Sequence, residues 1–358
     1  MNKKLLNAII VAAFVSTAIF APCRWSDASP LQAFIVPANN SLLAANGEIL
    51  GFDSRTGAFT GIIAPNQGSS IINGLTYGLD GSLYATYFTA LGSTDAGVLR
   101  IRRDGTVSIF VALGSGGPTA RGGLAFGPDG NLYVAAAVGN NLAGEVLRYD
   151  GTSGAFLGVF ASTGLSVPED LVFGPDGNLY VTNGYGDSVS RFNGRTGASM
   201  GFLVAPGAYG LDAPAGLAFG RSEDLYVTSF PTNTIYRFAR GTGALVSMFD
   251  LPYLDAVDTL LDVAFGPDRN LYTAIRLASG STDVLELDPD TGAVLSHFAN
   301  MAAPLSFNTG MLFVDQACSS LRFNEGQASG CFAPRPLHEP ATIALVSLCL
   351  AGIVGMRR

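Results

Sequence analysis

Charged residues are scarce in this chain of 358 residues, and two residue types on which many enzymes depend are almost missing. Only 13% of the residues are charged, against about 25% in an average soluble domain. The only lysines are Lys3 and Lys4, and the only histidines are His297 and His338. This scarcity argues against lysine catalysis, leaves two places for an imidazole base, and disfavours zinc sites built from His and Cys.

The few charges that are present are mostly acidic. Lys and Arg total 20 and Asp and Glu total 28, which gives a formal net charge of −8. A protein that binds phosphate backbones needs a basic surface, so we expect no nucleic-acid partner.

The N-terminal residues 1–29 have the pattern of a secretory signal peptide. Lys3 and Lys4 supply its positive start, and the run from Leu5 to Phe20 is apolar and uncharged. We therefore expect the chain to be exported and its body, residues 30–335, to begin near Pro30.

The C-terminal residues 336–358 form a second segment of this kind. An apolar run from Ala341 to Met356 is followed by two arginines, and about 16 helical residues would span roughly 24 Å, which is short for a bilayer core but sufficient where the bilayer thins or the ends of the run are included. The terminal arginines favour the cytoplasmic side, so the body would lie outside. The sequence thus predicts a short transmembrane helix.

The tail resembles the PEP-CTERM sorting signal of exported bacterial proteins. In that signal Pro-Glu-Pro precedes a hydrophobic helix and a basic end, and here His338-Glu339-Pro340 stands in its place, so that His338 replaces the first proline. The resemblance implies processing by a membrane-embedded exosortase and a destination at the cell surface or in the medium.

The four cysteines divide between these end segments and the body. Cys23 and Cys349 lie in the targeting segments, which leaves Cys318 and Cys331 in an oxidising compartment. We expect a disulfide between these two.

A ten-residue phrase recurs along the body at spacings of 49, 47, 46 and 46 residues. Its copies begin at Leu75, Leu124, Leu171, Leu217 and Val263. A second phrase, ending in Gly-Ala, occupies the later half of each unit and begins at Phe52, Tyr149, Phe192, Phe238 and Leu287. A period in the forties is typical of propeller blades.

Each unit reads as four short strands joined by tight turns. The turn Pro175-Asp176-Gly177-Asn178 predicts a hairpin, because Pro sets the first turn dihedral and Gly accepts a positive φ. Two further strands follow, at 189–192 and 198–204. We interpret the turn aspartates as structural, since one carboxylate per hairpin is far too few for calcium. The recurring phenylalanines Phe126, Phe173, Phe219 and Phe265 are expected to fill the seams between blades.

The fold class predicted is therefore an all-β propeller with four antiparallel strands per blade. Residues 310–313 keep the phase of the repeat, so a C-terminal inner strand can complete an N-terminal blade and give six blades. Phe34 also fits the phase of an inner strand, which leaves seven blades as the alternative.

The repeats resemble the six-bladed propellers that include NHL-repeat proteins, gluconolactonase-type propellers and streptogramin lyases. The resemblance covers about residues 31–325 and rests on the phrase GPDGNLYV. It implies a fold rather than an activity, because propellers serve hydrolases, lyases and binding modules alike.

Candidate site residues stand just before the inner strands, which rim the channel of a propeller. Asn73, Glu169, Asp170 and Asp262 are oxygen-bearing side chains that could hold Ca²⁺ or another divalent cation. Asn73-Gly74-Leu75 matches a metal-binding motif of the gluconolactonase-type propellers, and Glu169 takes the equivalent place in another repeat. On this interpretation Glu169 or Asp170 would act on the water molecule used for hydrolysis in a metal-dependent lactonase.

The position of the histidine in the body argues against acid–base catalysis in the channel. His297, the only imidazole in the body, falls on an outer strand by repeat phase, away from the channel. We therefore favour a surface-sorted binding or scaffold module for an extracellular protein or polysaccharide, with the divalent-metal lactonase or related hydrolase as the alternative. Arg121 is the one basic rim residue, able to pair with Glu169 or to bind an anionic ligand.

Overall fold

The computed structural model describes most of the body of the chain. It covers residues 32–35, 49–54, 56–64, 71–88, 96–102, 104–117, 120–138, 143–251, 258–279, 281–301 and 311–314. The predicted signal peptide, the Cys318 and Cys331 pair and the predicted sorting tail lie outside these residues. In the part described, no helix has the length and hydrophobicity to cross a bilayer.

Five blades are built from four consecutive strands each, paired antiparallel in sequence order. Blade 1 contains β4 (Ile71–Tyr77), β5 (Leu83–Phe88), β6 (Ala96–Ile101) and β7 (Val107–Val111). Blade 2 contains β8 (Ala120–Phe126), β9 (Leu132–Val138), β10 (Ala143–Tyr149) and β11 (Phe156–Ala161). Blade 3 contains β12 (Pro168–Phe173), β13 (Leu179–Asn183), β14 (Ser188–Phe192) and β15 (Ser199–Val204). Blade 4 contains β16 (Pro214–Phe219), β17 (Leu225–Ser229), β18 (Thr234–Phe238) and β19 (Leu245–Asp250). Blade 5 contains β20 (Thr259–Phe265), β21 (Leu271–Arg276), β22 (Thr282–Leu287) and β23 (Val294–Met301).

A sixth four-stranded sheet, here called the closing sheet, combines both ends of the body. Its order is β24 (Met311–Val314), β1 (Gln32–Ile35), β2 (Ile49–Asp53) and β3 (Phe59–Ala64). The C-terminal strand β24 pairs antiparallel with β1, with Phe34 opposite Leu312. The predicted completion of an N-terminal blade by a C-terminal strand is therefore observed.

The inner strands of the five blades and β24 contact one another in succession, and β24 also contacts β4. Phe34 does not occupy an inner strand, because β1 lies between β24 and β2 in second position. The repeat spacing places Phe34 where an inner strand is expected. In the closing sheet, however, β24 from the C-terminus takes that inner position and β1 is the second strand, so there is no seventh inner strand among the described residues.

The recurring hairpin between the first and second strands depends on its aspartate. In blade 3 the Asp176 carboxylate accepts hydrogen bonds from the Asn178 backbone N–H at 3.1 Å and from the Tyr180 hydroxyl at 2.8 Å. Gly177 has φ = 74°, a left-handed conformation that favours glycine. The interpretation of these aspartates as structural turn residues fits this geometry.

Aromatic rings fill the seams between neighbouring blades, as predicted. Tyr133 of blade 2 meets Phe173 of blade 3 edge to face, with ring centroids 5.0 Å apart. The pairs Tyr84–Phe126, Tyr180–Phe219 and Tyr226–Phe265 repeat this contact at 4.9, 5.1 and 5.1 Å. Edge-to-face pairs of this kind contribute about 0.5–1.5 kcal/mol each beyond the area that they bury.

Candidate functional site

The inner strands surround a central channel with a volume of about 330 Å³. Asn73, Glu169, Asp170 and Asp262 all line it, so the four residues predicted at the rim do converge on one cavity. Below the rim the wall is mostly apolar. Its partly exposed residues include one from each inner strand, next to the aromatic residue near the end of that strand: Thr76, Ala125, Val172, Ala218, Ala264 and Leu312.

Asp262 links blade 5 to the closing strand. One carboxylate oxygen accepts the backbone N–H of Val263 at 2.7 Å, and the other accepts the N–H of Met311 at 2.7 Å. Only 8% of Asp262 is exposed. The side chain therefore joins the first residue of β24 to the neighbouring inner strand.

Asp170 does the same between blades 3 and 4. Its Oδ1 accepts the N–H of Leu171 at 2.8 Å and its Oδ2 accepts that of Leu217 at 3.4 Å. Both rim aspartates thus bridge to the inner strand of the next sheet. Backbone N–H groups buried without such an acceptor would each cost about 1–3 kcal/mol.

Glycines on the preceding blades make room for the two aspartates. A Cβ atom placed on Gly123 would lie 1.7 Å from Oδ1 of Asp170, and one placed on Gly216 would lie 2.3 Å from Oδ1 of Asp262. Both distances are well below any van der Waals contact. These residues lie within the inner strands and not before them, and their alternation of glycine and aspartate from blade to blade has a steric cause.

Burial disfavours the charged form of both carboxyls. It raises the pKa of Asp170 to about 7, with the nearby Glu169 carboxylate acting in the same direction. Burial likewise raises the pKa of Asp262, and the charge of Asp170 adds to the effect. The two groups are electrostatically linked across the rim, so each resists ionisation when the other is charged.

Buried threonines form a second set of links between blades, which the sequence reasoning missed. Oγ1 of Thr182 accepts the N–H of Asp170 at 3.0 Å and donates to the carbonyl oxygen of Ala215 in blade 4 at 2.7 Å. Thr86 and Thr228 make the same pair of contacts in blades 1 and 4. Their recurrence three residues after the leucine of the second strand was the signal available in the sequence.

Asn73 and Glu169 complete the rim. Asn73 is 5% exposed, whereas Glu169 is only partly buried. Glu169 lies against the turn after β13, where a Cβ on Gly184 would come within 2.9 Å of its Oε1. The side chain of Arg121, the predicted basic rim residue, lies outside the described side chains.

The donor set does not fit a hard divalent cation. Calcium takes about six to eight oxygen ligands, yet both oxygens of Asp170 and of Asp262 already accept backbone N–H groups. Among the residues with described positions, no three His, Cys, Asp or Glu side chains are grouped closely enough to share a metal ion.

His297 lies on β23, the outermost strand of blade 5, as its repeat phase predicted. Its side chain is 69% exposed, and Nδ1 lies 2.6 Å from Oδ2 of Asp283. This imidazole is a solvent-edge residue away from the channel lining.

Four-stranded antiparallel blades around a mostly apolar channel define this chain as a β-propeller. It is similar to a chain of the nidogen–laminin complex (16% identity, TM-score 0.59, covering 78% of this chain and 98% of that one). It is also similar to the periplasmic gluconolactonase of Pseudomonas aeruginosa (16%, 0.54, covering 79% and 99%). A third similar structure is an inactive virginiamycin B lyase from Staphylococcus aureus (17%, 0.52, covering 74% and 84%).

These likenesses relate the chain to gluconolactonase, virginiamycin B lyase and nidogen-like propellers in fold. No protein-family model and no curated protein matches the sequence. At such low identity the shared fold carries no activity with it.

Proposed function

We propose that this chain is an exported six-bladed β-propeller that acts as a binding or scaffold module for an extracellular protein or polysaccharide. The observation that supports it best is the use of the rim carboxyls. Asp170 and Asp262 were predicted to serve metal binding or acid–base chemistry. In each of them both carboxylate oxygens accept backbone N–H groups, and these hydrogen bonds connect neighbouring inner strands. Carboxyl groups that crosslink the blades in this way favour a structural role for the rim over a catalytic one.

The route to the cell surface is part of the proposal. Residues 1–29 act as a signal peptide, and the PEP-CTERM-like residues 336–358 anchor the chain in the membrane until exosortase-type machinery processes it. Mass spectrometry of the chain recovered from membrane, surface and medium fractions would give both mature termini. A chain retained in the cytoplasm with both termini intact would contradict this route.

Binding is tested with the exported chain as recovered from the producing cells. In one assay the purified protein is applied to arrays of extracellular polysaccharides. In a second assay it is crosslinked to the surface proteins that it contacts in an extract. We expect saturable retention on one polymer or one protein band. Failure to bind any of these, together with turnover of a small ester or lactone, would overturn the proposal.

A divalent-metal-dependent lactonase or related hydrolase is the second candidate. In its favour, Asn73, Glu169, Asp170 and Asp262 line one cavity; against it, both oxygens of Asp170 and of Asp262 already accept backbone N–H groups. Elemental analysis after purification in calcium-containing buffer, combined with a lactone hydrolysis assay, separates the two candidates. One equivalent of metal that disappears in the Asn73→Ala, Glu169→Ala double variant, with loss of hydrolysis, would establish the hydrolase.

A further inference from the structure

The two ends of the central channel differ in chemistry. Asp170 and Phe173 both line it on β12 and lie three residues apart, which corresponds to about 10 Å along a strand. Glu169, Asp170 and Asp262 lie three or four residues before Phe173 and Phe265, the aromatic residues that end the same strands. The channel therefore runs from an acidic rim to an aromatic end.

An aromatic collar surrounds the far end, with one ring from each strand that lines the channel. All six rings are partly exposed, although five of them also pack in the seams. The collar consists of Tyr77, Phe126, Phe173, Phe219, Phe265 and Phe313. Aromatic faces are favourable surfaces for apolar groups and for cations.

Positive charge is missing from the lining as far as the structure describes it. Among the described residues that line the channel there are three carboxyl groups and no Lys, Arg or His; the side chain of the rim residue Arg121 lies outside that description. The sequence has a net charge of −8, so the wider field has the same sign. A cation entering the rim would compensate carboxyls whose ionisation burial opposes.

We propose that the channel binds a small organic cation, an ammonium group carried on an apolar or aromatic body. The ammonium lies at the acidic rim beside Glu169, and the body lies along the apolar wall toward the collar. A volume of about 330 Å³ is near the lower end of ordinary ligand cavities and suits a molecule of this size. The inference deepens the proposed binding function by naming a ligand class for the channel.

Calorimetric titration with three probes of equal shape tests the role of charge. The probes are phenethylammonium, 2-phenylethanol and phenylacetate, and the protein is the exported full body of the chain. We expect phenethylammonium to bind at least tenfold more tightly than the alcohol, a difference of about 1.4 kcal/mol, and phenylacetate to bind least. Equal binding of the ammonium and the alcohol, or tighter binding of phenylacetate, would overturn the inference.

Two variants locate the ligand. Glu169→Gln is expected to weaken phenethylammonium about tenfold and to leave 2-phenylethanol unchanged. Asp104→Asn, which removes one exposed charge from the turn between β6 and β7, is the matched control and should change neither. Ala218→Leu narrows the wall and is expected to weaken both probes. An Ala218→Leu protein that melts normally and binds as before would place the ligand outside the channel.

The outcome is separable from that of the proposed function. If no probe binds while a polysaccharide or surface protein does, only the channel inference fails. If the same protein hydrolyses a small ester or lactone in a separate assay, the binding-module proposal fails instead.

Discussion

Replacing Asp170 by asparagine should weaken the loss of stability that this propeller shows as the pH rises. Its pKa is about 7 in the folded chain, against 3.8 for an ordinary aspartate, because burial opposes the charge. Between these values the folded chain holds a proton that the unfolded chain has released, so wild-type stability falls by about 1.4 kcal/mol per pH unit. The full loss from Asp170 amounts to about 4 kcal/mol and is complete above pH 7. The raised pKa of Asp262 adds a loss of the same sign.

Asparagine removes this titration at a structural cost. One of the two N–H groups that Asp170 now accepts, from Leu171 or Leu217, would face an amide nitrogen. An unsatisfied buried N–H costs about 1–3 kcal/mol. Asp170→Asn should therefore be less stable than wild type at pH 5, and the difference should shrink or reverse at pH 8.

Urea unfolding at pH 5 and pH 8 measures both chains on one scale. The control is Asp104→Asn, because the pKa of Asp104 is lowered, chiefly by its hydrogen bonds from Thr106. A carboxyl of that kind loses its stabilising effect only as the pH falls through its folded pKa, below this window. If Asp170→Asn kept the same difference from wild type at both pH values, the carboxyl would not be a buried proton acceptor.

Two substitutions test the links between blades, and a third tests the hairpin turn within blade 3. Gly123→Ala should destabilise the fold by about 1–3 kcal/mol or more, because its Cβ would overlap Asp170, while Gly241→Ala, with open space around it, should stay within about 1 kcal/mol of wild type in thermal melts. Thr182→Val should lower the urea midpoint by the equivalent of about 1–3 kcal/mol, since it strands a buried N–H and a carbonyl; an unchanged midpoint would show that the threonine links are dispensable. Tyr180→Phe should cost about 1 kcal/mol by removing the hydroxyl bond to the turn carboxylate, and no loss in chemical denaturation would argue against that bond.

How well a feature of this chain could be predicted depends on how far apart in the sequence the interacting residues lie. The hairpin around Gly177 was predictable because a proline, an aspartate and a left-handed glycine adjacent in sequence determine a turn by themselves. The role of Asp170 was not, because a carboxylate before a strand reads equally as a metal ligand or as a hydrogen-bond acceptor. Only the position of Leu217 in the next blade distinguishes the two.

By itself, the sequence determined the repeated unit, its four strands and its turns, since each depends on residues close together in the chain; export of the chain stays a prediction. The tertiary structure decided what depends on distant segments meeting. It placed Phe34 in the second strand of the closing sheet, because β24 arrives from the C-terminus to take the inner position. It also gave the rim aspartates a structural role in place of the predicted role as metal ligands, because their carboxylate oxygens accept hydrogen bonds from backbone N–H groups of the neighbouring sheets.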